Sequence, residues 1–171
     1  MIKYKLTTQS MTTHDDFQWQ VGVKVTTSGE GELCGPGWLH YYDSPELAML
    51  MNPIHADIEN PIGWKVEAEG IHKLDHGLKG GCTEMTLLEQ IELPDISITQ
   101  RVRFSILCAL AVYSEPTFVR WANYWLNNED RSAKTAQAIA TAALAEAARV
   151  AAGTGKPLDL QSIALKALQE P

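Results

Sequence analysis

The feature that most constrains this chain is a break in composition near Pro94. Residues 1–94 hold 10 of the 12 glycines, all five histidines and no arginine; residues 95–171 hold all five arginines and two glycines. Glycine with β-branched and aromatic residues favours strands joined by turns, whereas alanine, leucine and arginine favour helices. One chain of 171 residues is long enough for a core but short for two large domains. The expected fold class is therefore α+β: residues 1–94 a small, mainly antiparallel sheet with one helix, and residues 95–171 a bundle of about four helices.

Local patterns place the elements. Ile2–Leu6, Gln18–Thr27, Trp64–Glu69 and Thr83–Leu93 read as strands, with turns at Ser28–Gly31 and at Gly80-Gly81. Trp64, Val66 and Ala68 alternate with Lys65, Glu67 and Glu69, the period-two pattern of a half-buried strand. Ser44 followed by Pro45 and Glu46 signals a helix start, and Pro53 sets its expected end. Ser97 and Gln100 have capping-box spacing, so a helix is expected from there to about Tyr113. Pro116 restarts a helix carrying Phe118, Trp121 and Trp125 on one face, read as a packing stripe. Ser132–Ala152, with alanine at 11 of 21 positions, is expected to be a third helix whose small side chains admit a close neighbour. Pro157–Leu168 is expected to form the last.

Charge is divided along the same line. Residues 1–94 carry 6 Lys against 14 Asp+Glu, a net of -8; residues 95–171 carry 8 Lys+Arg against 7 Asp+Glu, a net of +1. The whole-chain charge of -7 argues against non-specific nucleic-acid binding, which rests on neutralising phosphates. An acidic field steers cationic partners instead. No apolar run reaches the length of a membrane span, and residues 1–10 lack the apolar segment of a secretory leader, so a cytoplasmic protein is expected. Three cysteines, an odd number, fit a reducing compartment with free thiols.

The densest chemistry lies in Cys34–Asp43. Trp38, His40, Tyr41, Tyr42 and Asp43 form the candidate binding segment, with Gly35-Pro36-Gly37 turning the chain ahead of it; the alternative reading is a strand whose aromatics pack the core. Cys34, His72, His76 and Cys82 form an alternative metal set, since two histidines four apart share a helical face. No Walker loop or dinucleotide fingerprint is present, and no metal or cofactor is expected. Arg101, Arg103, Arg120 and Arg131 are either an anion-facing cluster or structural arginines that cap helix ends.

Two resemblances follow from these motifs. Phe17-Gln-Trp-Gln-Val-Gly22, continued through Cys34-Gly-Pro-Gly-Trp-Leu-His40 and the helix at Pro45–Leu50, resembles a family of small phage and prophage proteins. The C-terminal part, with Arg101-Val-Arg-Phe, Asp130-Arg-Ser and the alanine-rich stretch, resembles the helical repeats of bacterial immunity proteins. These imply an accessory product that meets a host or competitor protein in the host cytoplasm, as an inhibitor of a defence system would. More remotely, Gly37–Ala48 with Gln90-Ile-Glu92 is similar to the strand–helix step and Gln-x-Glu motif of ADP-ribosyltransferases. That likeness implies His40, Tyr42 and Glu92 as catalytic residues, although residues 1–13 lack the family's first-strand arginine or histidine. The leading expectation is a non-enzymatic protein that binds another, host-encoded protein. The alternatives are a transferase and a homo-oligomer paired through the alanine-rich helix.

Overall fold

A computed structural model describes residues 1–129, 131 and 159–169. The chain divides into two compact units, Met1–Ile96 and Ser97–Pro171. The fold class is α+β, an antiparallel sheet with four helices among the described residues.

In the first unit the strands are β1 (Ile2–Thr7), β2 (Thr12–Thr13), β3 (Phe17–Gln18), β4 (Lys24–Thr26), β5 (Leu39–Tyr41), β6 (Ile62–Asp75) and β7 (Lys79–Ile91), with α1 (Pro45–His55) between β5 and β6. The main sheet runs β1-β6-β7-β4, with β5 also on β7; β2 and β3 form a separate two-stranded ribbon. All pairings between these strands are antiparallel, and one isolated parallel bridge joins Val21 to Leu87. β5 occupies the Gly80–Cys82 end of β7, and β4 the Glu84–Thr86 stretch beside it. Just past β5, Tyr42 exchanges two backbone hydrogen bonds with Tyr4 of β1, at 3.0 and 2.8 Å. The sheet thus curls toward itself without closing into a barrel.

The alternation at Trp64–Glu69 has the expected consequence. Trp64, Val66 and Ala68 join Trp19, Leu39, Tyr41, Cys82, Met85 and Leu87 in one core cluster. The buried Trp64 indole donates to Thr7 Oγ1 at 2.9 Å, which removes the cost of an unpaired N–H.

Several local expectations are corrected. Gly80-Gly81 is not a turn but part of β7. A Cβ at Gly80 would lie 2.3 Å from the Tyr41 ring, and one at Gly81 would lie 2.5 Å from Leu33. These glycines are small so that an aromatic and a leucine can lie on the strand. The chain instead reverses at His76 and Gly77, both in the left-handed region at φ 47° and 75°. That also removes the helical face proposed for His72 and His76, since His72 lies in β6. The Gln18–Thr27 run is likewise broken, into β3 and β4, with Gly22 between them at φ 75°.

Helix α1 begins as expected, with the Ser44 hydroxyl accepting from Leu47 N, but it passes through Pro53. Buried Asn52 explains the extension. Its carbonyl accepts from Ala56 and Asp57, and its side chain bonds both the N–H and the C=O of Ile58. This clamp holds one further turn and ends it on His55.

The second unit contains α2 (Ile98–Val112), α3 (Pro116–Leu126) and a last helix, here α4 (Leu160–Leu168). The capping box at Ser97 and Gln100 is fully formed. Glu115 caps α3 by accepting from Thr117 N and Phe118 N. Those bonds, from the backbone of a helix start, hold its carboxyl below the ordinary range. Phe118, Ala122 and Trp125 of α3 pack with Ile106 and Ala109 of α2, as the stripe implied. Asp159 caps α4 through Ser162. The expected Ser132–Ala152 helix lies outside the described residues, as do Pro157 and Leu158.

The core makes a quantitative prediction. Met85 is fully buried and Leu74 is 68% exposed. Met85→Ala is expected to cost about 2–5 kcal/mol, and Leu74→Ala about 0.5 kcal/mol or less, by chemical denaturation. Equal effects would contradict the burial of Met85 in β7 and the exposure of Leu74 in β6.

Candidate functional site

A cleft of about 790 Å³ opens in the N-terminal unit. Several parts of the chain build it, Thr13, His14 and the 56–59 loop included. β1 supplies Lys5; β5 and the residue after it supply His40 and Tyr42; the end of α1 supplies Ile54 and His55. The β6–β7 hairpin supplies Asp75 and Lys79, and the loop ahead of β5 supplies Cys34.

The imidazoles are held from behind. His40 Nε2 is bonded to the Leu33 carbonyl. The His55 ring stacks on Tyr42 at 6.0 Å with 14° between the planes, and its Nδ1 lies 3.5 Å from the Tyr42 hydroxyl. Burial pushes both histidines below their ordinary pKa, so the neutral, proton-accepting form is favoured near neutrality. Burial pushes the Tyr42 phenol upward, so it remains a hydroxyl.

Lys5 is the least expected member. A lysine between strand residues ordinarily points to water, yet Lys5 is only 7% exposed. Its ammonium donates to the His40 carbonyl at 2.9 Å and sits 4.6 Å above the Trp19 ring. Burial without a carboxylate lowers its pKa from the ordinary 10.5 to about 8, the nearby Cys82 thiol opposing this only weakly. At the cleft wall Lys79 Nζ donates to Cys34 Sγ at 3.1 Å.

The candidate binding segment is divided by this geometry. His40 and Tyr42 line the cleft. Trp38 and Tyr41 are buried, with Trp38 Nε1 donating to the Gly31 carbonyl at 3.3 Å and the Tyr41 hydroxyl lying 3.1 Å from His72 Nδ1. Tyr41 enters the core because successive side chains of β5 point to opposite faces, whereas Trp38 precedes the strand and is held by the Gly31 carbonyl. Asp43 is exposed and pairs with Lys3 at 2.5 Å.

The alternative sets are dispersed. Glu92 follows the far end of β7, whereas His40 pairs with Gly81; at ~3.3 Å per residue the separation is on the order of 30 Å. Glu92 therefore does not join His40 and Tyr42. Of the four metal candidates, Cys34 is at the cleft, Cys82 is in the core, His72 bonds Tyr41 and His76 is exposed in the turn. Among the described residues no three His, Cys, Asp or Glu side chains are grouped to hold a metal ion.

Of the four arginines, Arg103 and Arg131 line a second cavity of about 570 Å³ in the helical unit, together with Lys166. Arg103 Nη1 donates to the Leu126 carbonyl and Arg131 Nε to the Trp125 carbonyl, each at 3.4 Å. They satisfy carbonyls at the end of α3, the capping role weighed from the sequence. No helix among the described residues is long and apolar enough to cross a membrane.

This is the architecture of an α+β protein with a polar cleft on a curled antiparallel sheet. Residues 1–99 match DUF7666, a domain of unknown function, and the chain belongs to that family. No curated protein and no solved structure matches it.

Lys5 dictates a pH dependence. Between about pH 8 and 10.5 the unfolded chain holds a proton that the folded chain has released, so stability rises with pH across that window. Below about 8 both states hold it and the full penalty, about 3 kcal/mol, stands. Lys5→Met is expected to flatten this rise when unfolding is measured from pH 7 to 10 beside the wild type. An unchanged difference between the two proteins across that range would show that Lys5 titrates normally.

Proposed function

We propose that this protein is a non-enzymatic accessory protein of the phage type that binds a protein of a host or competitor through its acidic N-terminal unit. The observation that carries this reading is the mouth of the cleft. Ile54 is 68% exposed there, among Asp57, Glu59 and Asp75. On the sheet Lys24 pairs with Glu69 and Glu84, Lys65 with Glu89 and Lys3 with Asp43. Among the described residues no ion pair engages Asp57, Glu59 or Asp75.

An exposed apolar side chain in a cleft that is also lined by carboxylates suits a partner segment that carries a basic residue beside an apolar one. The net charge of -8 over residues 1–94 would draw such a partner in by long-range attraction. The phage-type likeness of the Phe17–His40 segment directs the reading toward a defence component of the host.

The test is native mass spectrometry after incubation in host lysate, with the wild type and with Asp57→Asn/Glu59→Gln/Asp75→Asn. A heavier complex is expected with the wild type, weakened at least tenfold in the triple variant and weakened by added salt. A complex indifferent to both, or none at all, would refute the reading.

A further inference from the structure

The six lysines of the N-terminal unit do not share one kind of environment. Lys3, Lys24, Lys65 and Lys73 each stand within ion-pair distance of a carboxylate. Lys79 donates to the Cys34 thiol. Lys5 differs from all of them: it is nine-tenths buried, its acceptor is a single backbone carbonyl, and a tryptophan ring lies beneath it. It also lines the cleft. An ammonium enclosed without a counter-ion is unfavourable by several kcal/mol. A position that merely needed filling between Trp19 and Trp64 would be better served by leucine or methionine.

We propose that Lys5 is a carbonyl-reactive amine, capturing a small aldehyde or 2-oxo acid in the cleft as a reversible imine. The cleft, about 790 Å³, is of the size that encloses a metabolite-sized ligand. The reaction needs no oxidant or reductant. The lone pair of neutral Nζ attacks the carbonyl carbon, the C=O electron pair moves to oxygen, and oxygen gains a proton as nitrogen loses one. The carbinolamine hydroxyl takes up one further proton and leaves as water while the nitrogen lone pair forms the C=N bond, and the resulting iminium nitrogen releases its proton to give the imine. Amine and carbonyl give imine and water.

Two features favour the steps. A lysine titrating near 8 has a free-amine fraction at neutral pH a few hundredfold above that of an ordinary lysine. The stacked Tyr42–His55 pair lines the same cleft, and a neutral imidazole beside a phenol can pass the proton that departs with water. The inference is independent of any protein partner, because it concerns the interior of the cleft and not its acidic mouth.

The experiment uses the full chain, glyoxylate as the probe and cyanoborohydride, whose hydride fixes the imine as a stable secondary amine. Modified lysines are mapped by peptide mass spectrometry. Lys5 is expected to carry at least tenfold more adduct than the average of Lys24, Lys65 and Lys73 at pH 7. That ratio is expected to fall as the pH is raised, because Lys5 reaches full deprotonation first while carboxylate pairing keeps Lys24 and Lys65 protonated to higher pH. Adduct spread over the surface lysines with Lys5 unmodified would overturn the proposal. Lys5→Arg, which keeps the charge, is expected to remove the preferred adduct. Site mapping on the wild type decides the question even if that variant does not fold.

Discussion

The interaction on which the rest of the N-terminal unit depends is the backbone ladder between β6 and β7. It runs from Gly63 opposite Ile91 to Asp75 opposite Lys79, with register shifts at Lys65/Val66 and Glu69/His72. Every other strand of the main sheet docks on one of these two. A hairpin this long twists along its length. That twist, with the two irregularities, lets β5 sit at one end of β7 while Tyr42 reaches β1. His40, Tyr42 and Lys5, which line the cleft, lie at those contacts.

Close approach at Gly80 and Gly81 is the second requirement. The Tyr41 ring lies on Gly80 and Leu33 on Gly81, so β5 is pressed against β7. This compression places the His40 carbonyl within reach of Lys5 and turns the imidazole outward to the cleft. The loop that carries Leu33 and Cys34 is fixed by the same contacts, with the His40 ring bonded to the Leu33 carbonyl. The arrangement is therefore cooperative: Lys5, His40 and the 33–34 loop are each positioned by a neighbour that the glycines allow.

Electrostatically the sheet carries a set of lysine–carboxylate pairs, and further acids line the cleft. Lys24, Lys65, Lys73 and Lys3 balance acids along the sheet, whereas Asp57, Glu59 and Asp75 cluster at the mouth of the cleft. Exposed pairs of the first kind add little stability. The buried Lys5 ammonium, by contrast, is unfavourable in the isolated molecule.

Sequence alone determined the features that arise from near neighbours. The capping box at Ser97–Gln100, the Ser44 cap, the inward face of Trp64, Val66 and Ala68, and the packing stripe of α3 follow from spacings of two to four residues. The α+β class follows from the change of composition at Pro94. His40 and Tyr42 were legible as chemistry because they crowd one short segment. Lys5, His55 and Lys79 were not. What makes Lys5 unusual is burial by Trp19 and Trp64, 14 and 59 positions along the chain, and no local pattern carries that. His55 joined the cleft only because the Asn52 clamp carried α1 past Pro53. Gly80-Gly81 read as a turn because glycine has two uses, and only the Tyr41 ring lying against the strand shows that here it serves close packing. Tertiary structure decided which side chains meet, because meeting depends on register and curl, both set by contacts between distant parts of the chain.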